Sequence, residues 1–191
     1  WRVYEQNLDN SVPQSGTLTM SAVNVEENGD KVPVNYVLPP GIERSLDPTQ
    51  PQLVESNEQA LSLVVKNLGA GEAKAVYKNT ALDLRQYRRL QMFVHANAME
   101  QNTTGLSNDE LAVFVRLGSD YKNNYYEYEI PLKLTPPGKY SIRSAASSRQ
   151  VWPEDNMLDI PLRVFTKLKK ARNVAKNEGR ASYNHVFSAF D

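Results

Sequence analysis

The chain contains no cysteine, and this absence excludes disulfide frameworks, thiolate metal sites and cysteine nucleophiles. Histidine is scarce as well: the two residues, His95 and His185, do not form an HxH, HxxxH or HExxH spacing. Neither sign of charge is in excess, because 22 Lys and Arg balance 22 Asp and Glu. Phosphate binding needs a surplus of cations, so we expect no nucleic acid as a partner.

Long apolar runs are also missing. None approaches the ~20 residues that a helix needs to cross a bilayer, so we expect no transmembrane segment here. The sequence begins at Trp1 without a signal peptide, which indicates a piece of a longer protein. With 191 residues, 40% of them hydrophobic and 23% charged, it is large enough for one compact globular domain.

What the sequence does contain is a period of two in apolar residues, which is typical of half-buried strands. Strands are predicted at 17–25, 60–66, 73–78, 89–96, 110–117 and 125–134. The predicted apolar faces are formed by Leu61, Leu63 and Val65; by Leu90, Met92 and Val94; by Leu111, Val113, Val115 and Leu117; and by Tyr126, Tyr128, Ile130, Leu132 and Leu134.

One helix is predicted at about 160–177, with Asp159 as its N-cap and Gly179 at its end. Residues 181–190 are predicted to form a last strand. Several antiparallel strands with few helices favour a mostly β fold, a two-layer β-sandwich of the jelly-roll, galactose-binding-like type with one C-terminal α-helix.

The predicted organisation is one compact domain overall. Residues 1–58 would form an N-terminal extended segment with the first strand and a long loop. Residues 59–191 would form the sandwich core with its helix.

The candidate binding residues are polar or aromatic side chains on the predicted strands: His95, Arg116, Tyr125, Glu127 and Glu129. Glu127 and Glu129 leave the same face of one strand, so they form one wall of a site. A glycosidase needs opposed carboxylates, so cross-strand ion pairs to Arg116 or Lys133 are favoured. Tyr125 faces away from Tyr126 and Tyr128 and could stack on a sugar ring.

Two further stretches allow more than one interpretation. Residues 118–124 offer oxygen ligands for Ca²⁺, but a hairpin turn is favoured because the spacing is not that of an EF-hand loop. The basic run at 167–172 could meet a membrane surface or nucleic acid, but a solvated helix end is favoured. No nucleophile, base and orienting group come together, so the sequence predicts no enzyme, no cofactor and no metal site.

Several long strings, in this order, are similar to one known family. They are AVNVEE at 22–27, VNYVLPPGIER at 34–44, NEQALSL at 57–63, KAVYKN at 74–79, LDLRQYRRLQMFVHA at 82–96, VRLGSD at 115–120, NYYE at 124–127 and VWPE at 151–154. With these strings the chain resembles the SprA (Sov) family of cell-surface gliding and secretion proteins.

The resemblance implies a fragment of a very large outer-membrane protein, the translocon of the type IX secretion and gliding apparatus. This region would be a globular domain outside the bilayer, on the periplasmic or the extracellular face. Its partners would be other secretion-system subunits or exported proteins. The family implies no catalytic residues at these positions. It also implies that the sequence continues past Asp191 with strands that close the sandwich.

Three functions follow from these patterns. The first is a non-catalytic structural or docking module. The alternative is a carbohydrate-binding module of a surface protein, in which Tyr125, His95 and Arg116 contact a glycan. An enzyme is the third, and the residues support it least.

Overall fold

The computed structural model describes residues 2–7, 16–46, 55–99, 105–120, 122–184 and 186. The chain divides into two compact units, the first formed by residues 1–82 and 138–148 and the second by residues 83–137 and 149–191. The strands are β1 (Arg2–Asn7), β2 (Thr17–Asn24), β3 (Gln59–Lys66), β4 (Glu72–Tyr77), β5 (Arg89–Met92), β6 (Ala112–Gly118), β7 (Tyr125–Pro131) and β8 (Leu158–Pro161). The helices are α1 (Val25–Asn28), α2 (Ala145–Val151) and α3 (Arg163–Asn177), and 3₁₀ turns occupy Leu84–Gln86, Glu154–Asn156 and Ala181–Asn184.

The first unit contains two antiparallel ladders, β1 with β4 and β2 with β3. The buried carboxylate of Glu72, the first residue of β4, accepts hydrogen bonds from the backbone N–H groups of Gly16 (3.2 Å) and Gly69 (2.9 Å). Gly16 directly precedes β2, so this carboxylate ties the start of one ladder to the start of the other. A buried carboxylate requires such donors, because leaving it without them would cost several kcal/mol.

Much of the buried part of the first unit lies in a segment without regular structure. Val34, Asn35, Tyr36 and Val37 are all buried. Backbone pairing with the returning segment 138–148 supports them, since Gly138 N–H donates to Pro33 O at 2.8 Å. The side chain of Asn35 then pairs with the backbone of Tyr140. A buried irregular segment is tolerated because its polar groups find these partners.

The second unit contains the β6–β7 hairpin and the antiparallel β5–β8 ladder. Among the strands whose side-chain burial the structure describes, β8 is the most buried, with Leu158 and Ile160 fully inaccessible to solvent. Helix α3 contacts the hairpin through Phe165, whose ring centre lies 4.9 Å from that of Tyr126. Tyr126 belongs to the predicted apolar face of β7, so here a helix covers part of that face.

The mostly β prediction is confirmed, and six of the observed strands overlap predicted ones. The prediction that Asp159 caps the helix was wrong. Asp159 lies in β8, where it pairs with Arg89 at 2.5 Å, and α3 begins only at Arg163. The apolar pair Leu158 and Ile160 fits a two-residue period better than a helical one, and burial in a ladder decides between them.

A further difference concerns the end of the chain. Residues 181–184 form a 3₁₀ turn where a strand was predicted, and residues 185 and 187–191 lie outside the described residues. The two units adjoin in sequence at 82/83, 137/138 and 148/149. Strand β3, predicted to open the sandwich core, pairs along its full length with β2.

Candidate functional site

Four of the five predicted site residues lie on one face of the β6–β7 hairpin. We call this the hairpin polar face: Phe114 and Arg116 of β6 with Tyr125, Glu127 and Glu129 of β7. The strand register sets Arg116 directly opposite Glu127, and Phe114 opposite Glu129. Because side chains alternate along a strand, Tyr126 and Tyr128 leave the opposite face, as predicted.

Arg116 is the centre of the hairpin polar face. Its guanidinium forms an ion pair with the carboxylate of Glu127, and only 11% of the side chain is exposed. The same guanidinium lies over the ring of Tyr125, 4.3 Å from the ring centre, and 5.1 Å from that of Phe114. Cation–π contacts and a cross-strand ion pair therefore hold Arg116 in place. One face of the Tyr125 ring is covered as a result, which leaves a sugar only the other face.

This geometry distinguishes between the two ion-pair partners predicted for the glutamates, Arg116 and Lys133. Glu127 forms the cross-strand ion pair with Arg116, whereas Glu129 lies opposite Phe114. Lys133 pairs instead with Asp109, at 2.6 Å from Nζ to Oδ2. The hydrogen bond to Asp109 raises the pKa of the Lys133 ammonium above its usual value. Cross-strand pairing is thus the role in which the structure places Glu127.

His95 lies in a different cluster of the second unit. Its Nδ1 is 2.8 Å from Val151 O and 3.2 Å from Thr135 Oγ1, and its Nε2 is 2.9 Å from Asn97 Oδ1. The ring of Trp152 stands edge-on to the imidazole, with 5.8 Å between centres. Both ring nitrogens therefore have structural partners, which tie residues 95–97 to the end of α2.

The loop of the β6–β7 hairpin is organised by Asp120. Its Oδ1 accepts hydrogen bonds from the backbone N–H groups of Lys122, Asn123 and Asn124, and its Oδ2 accepts one from the Asn124 side chain at 2.7 Å. These bonds hold the pKa of the Asp120 carboxyl well below its usual range. Both oxygens serve the turn, as the hairpin interpretation expected. Among the described residues, no group of three His, Asp or Glu side chains could hold a metal ion.

Two buried asparagines that the sequence patterns did not single out hydrogen-bond the backbone of distant residues. Asn156 accepts a hydrogen bond from Lys133 N–H at 2.7 Å and donates one to Lys133 O at 2.8 Å. Asn35 makes the same pair of bonds with Tyr140, at 2.7 and 2.9 Å. Each side-chain amide thus supplies one residue, Lys133 or Tyr140, with the two backbone hydrogen bonds that a neighbouring strand would otherwise make. Asn35 falls in a string that carries the family resemblance and Asn156 follows one, but no local pattern marks either as buried.

The first unit also presents an apolar surface, part of which was predicted as the apolar face of a half-buried strand. On β2 and β3, alternate side chains on one face are Leu18, Met20, Leu61, Leu63 and Val65, which we call the β2–β3 apolar face. Met20 is 38% exposed, Leu61 41%, Leu63 44% and Val65 37%. The prediction that Leu61, Leu63 and Val65 share a face is confirmed, but the prediction that this face is half-buried was wrong. The half-buried residues of β3 are Ala60, Ser62 and Val64.

These observations define the class of protein: a mostly β protein of two units. The side chains of the polar clusters described above hydrogen-bond to the backbone and to one another, and the β2–β3 apolar face is exposed. No helix in the described residues is both long and apolar enough to span a membrane.

The family model of motility related/secretion proteins, SprA_N, matches residues 1–191, the whole of the chain. The chain therefore belongs to this family, and the resemblance found in the sequence strings is confirmed. A secretion and motility family associates the chain with the cell envelope and with protein partners. No curated protein matches the chain.

Proposed function

We propose that this chain is a non-catalytic structural and docking module of an SprA-like outer-membrane protein of the type IX secretion and gliding apparatus. In this proposal it binds another secretion-system subunit or an exported protein through the β2–β3 apolar face. A two-layer, sandwich-like packing of its sheets is part of the same proposal.

The observation that carries the proposal is the exposure of the β2–β3 apolar face. An amphipathic sheet must bury its apolar side against another layer, and contiguous apolar patches on a protein surface mark interaction sites. A two-stranded ladder is also marginally stable alone and gains from a third layer or strand. Met20 and Leu63 are directly opposite in the register, so they form the middle of the surface that a partner would cover.

The chemistry of the polar clusters supports a role without catalysis. Glu127 is neutralised by Arg116, and both nitrogens of His95 are engaged by backbone or side-chain oxygens. A general base needs a free lone pair within reach of a substrate proton. Side chains committed to bracing the fold are poorly suited to that task.

A photo-crosslinking amino acid tests the proposed face. It is placed at Met20 and, as the matched control, at Thr19, in cells that carry the secretion and motility apparatus. Both positions are exposed, are adjacent on β2 and point to opposite faces. We expect a defined envelope subunit or exported protein to be captured from Met20 and not from Thr19. Equal capture from both positions, or none from Met20, would refute the proposal.

Leu63→Glu provides the functional counterpart. Because Leu63 is exposed, we expect the free energy of unfolding of the isolated chain to change by no more than about 0.5 kcal/mol. Secretion and gliding should nevertheless be lost, since a charge would be buried against the partner. Thr19→Glu is the control and should leave both intact. A Leu63→Glu variant that secretes and glides normally would contradict the docking role.

A further inference from the structure

Positive charge is concentrated in one short part of this neutral chain. Residues 163–180 contain seven of the 22 Lys and Arg but only one acid, Glu178. The rest of the chain therefore has six more acidic than basic residues. A net charge of zero conceals a strongly basic segment, which creates a positive local field although the whole chain carries no net charge.

The basic residues cover the solvent side of helix α3. Arg163, Lys167, Lys169, Lys170, Arg172 and Lys176 are all exposed, and we call them the α3 basic surface. Arg163, Lys167 and Lys170 follow the spacing i, i+4, i+7, which places them in one line along the helix. Lys169, Arg172 and Lys176 form a second line at i, i+3, i+7. The apolar side of α3 packs within the second unit, since Phe165 contacts Tyr126 and Ala175 is buried.

This arrangement works against the stability of the helix itself. Like charges at i, i+3 and i, i+4 repel, and a cation in the first turn opposes the helix dipole. Helix α3 has Arg163 in its first turn, no acid there, and an N-cap, Leu162, that supplies no side-chain hydrogen bond. In the described part of the chain no ion pair joins the α3 basic surface to an acid; the ion pair closest in sequence joins Arg180 and Glu178. An external anionic surface would relieve this repulsion.

We propose that the α3 basic surface binds the anionic headgroups of a phospholipid bilayer and lays α3 flat along the membrane surface. With 15 residues the helix is about 22 Å long, enough to span several headgroups. Binding is electrostatic and without deep insertion, because the apolar side of the helix faces its own sheet. The interaction is separate from the β2–β3 apolar face and goes beyond the docking function.

The residue types favour a lipid surface over other anions. Four of the six cations are lysines, which act as hydrated point charges, whereas bidentate recognition of a carboxylate or phosphate uses arginine. The exposed positions of α3 include no aromatic residue on which a nucleic-acid base could stack. A protein interface would need buried apolar anchors, and α3 exposes one large apolar side chain, Val174, at 50%. A bilayer, whose headgroups rearrange laterally, fits an evenly charged rod.

The test is co-sedimentation of the 191-residue chain with vesicles of phosphatidylcholine, with and without phosphatidylglycerol. We expect binding only to the anionic vesicles, and loss of binding as salt rises from about 0.1 M to about 1 M, because the screening length falls from roughly 10 Å to 3 Å. The triple variant Lys167→Glu, Lys169→Glu and Lys170→Glu should bind at least about a hundredfold more weakly.

The matched control carries the same change in net charge on exposed lysines outside α3: Lys31→Glu, Lys66→Glu and Lys78→Glu. It should bind like the unchanged chain. A second triple variant, Lys167→Gln, Lys169→Gln and Lys170→Gln, removes the three charges without introducing acids and should also bind more weakly than the unchanged chain. Circular dichroism checks that α3 persists in each variant. Equal loss in the control, binding to phosphatidylcholine alone, or binding to duplex DNA or polyglutamate but not to vesicles would overturn the proposal. Crosslinking from Met20 does not depend on any of these outcomes.

Discussion

Replacing Asn156 tests whether one buried amide holds the second unit together. The Asn156 side chain is completely inaccessible to solvent and makes both of its hydrogen bonds with the backbone of Lys133. Alanine at this position removes the amide oxygen and the amide nitrogen that form these two hydrogen bonds. It leaves the N–H and C=O groups of Lys133 without the bonds that a neighbouring strand would otherwise supply.

The magnitude follows from those two groups. A partly buried backbone donor or acceptor that loses its partner costs about 1–3 kcal/mol. We therefore expect Asn156→Ala to lower the free energy of unfolding of the second unit by about 2–4 kcal/mol. The matched control is Asn108→Ala. Asn108 is exposed and accepts one hydrogen bond from the backbone, from the N–H of Leu134 at 2.7 Å. Loss of this exposed bond should lower the free energy of unfolding by about 1 kcal/mol or less.

Urea unfolding followed by tryptophan fluorescence measures both variants, because Trp152 is buried and lies four residues from position 156. Equal losses of unfolding free energy in Asn156→Ala and Asn108→Ala would refute this role of the Asn156 amide. So would a change of less than about 0.5 kcal/mol in Asn156→Ala, the usual size of the effect of a surface substitution.

Asn156→Asp adds a pH signature. The new carboxylate would still accept from Lys133 N–H, but its second oxygen would face Lys133 O, an acceptor, at the site of the lost donor. Burial and this repulsion raise the pKa of the new carboxyl above its unfolded value of about 3.9. The folded state then holds the proton more tightly, so the deficit against Asn156 should shrink as pH falls through the raised pKa. The deficit of Asn156→Ala should not change in this way.

The remaining predictions concern both units. Asn35→Ala should cost about 2–4 kcal/mol and increase amide hydrogen exchange at Tyr140, whereas unchanged exchange there would contradict the role of the Asn35 amide. Gly118→Ala should prevent normal pairing of the hairpin, since the added Cβ would lie 2.6 Å from Tyr125 Cα; a melting temperature equal to that of the unchanged chain would disprove this. Because its hydrogen bonds lower the pKa of Asp120, the ionised carboxylate stabilises the hairpin above the ordinary carboxyl range. This stabilisation is lost as pH falls below about 4 and through the lowered pKa, so amide exchange in the hairpin should rise in strong acid. In Asp120→Asn that acid-dependent rise should be absent, and its persistence would count against the assignment.

Part of the candidate site follows from sequence alone because strand geometry is local. Side chains two apart on a strand must share a face, and this rule placed Glu127 with Glu129 and separated Tyr125 from Tyr126. The pairing of Glu127 with Arg116 was one of two predicted alternatives, since the sequence does not say which residue of a neighbouring strand lies opposite Glu127. The register in the structure selects Arg116 and leaves Lys133 to Asp109.

Alternation alone could not say which faces are buried. Leu61, Leu63 and Val65 have the same pattern as Val113 and Val115, yet the first set is exposed and the hairpin is contacted by α3. Burial depends on which other element lies over a face, and that is a property of the whole chain. The same limit explains why the sequence predicted a helix start at Asp159 and Ile160, which lie in β8.

By itself, the sequence determined the mostly β character, the approximate positions of six strands and the main helix, and the family, because periodicity and ordered strings are local features. Only the tertiary structure decided the partners of Asn35 and Asn156, which lie 105 and 23 residues away along the chain. An amide side chain gives the same local signal whether it is solvated in a loop or buried beside a backbone. The difference appears only when distant segments meet and exclude water, which makes each of its hydrogen bonds costly to lose.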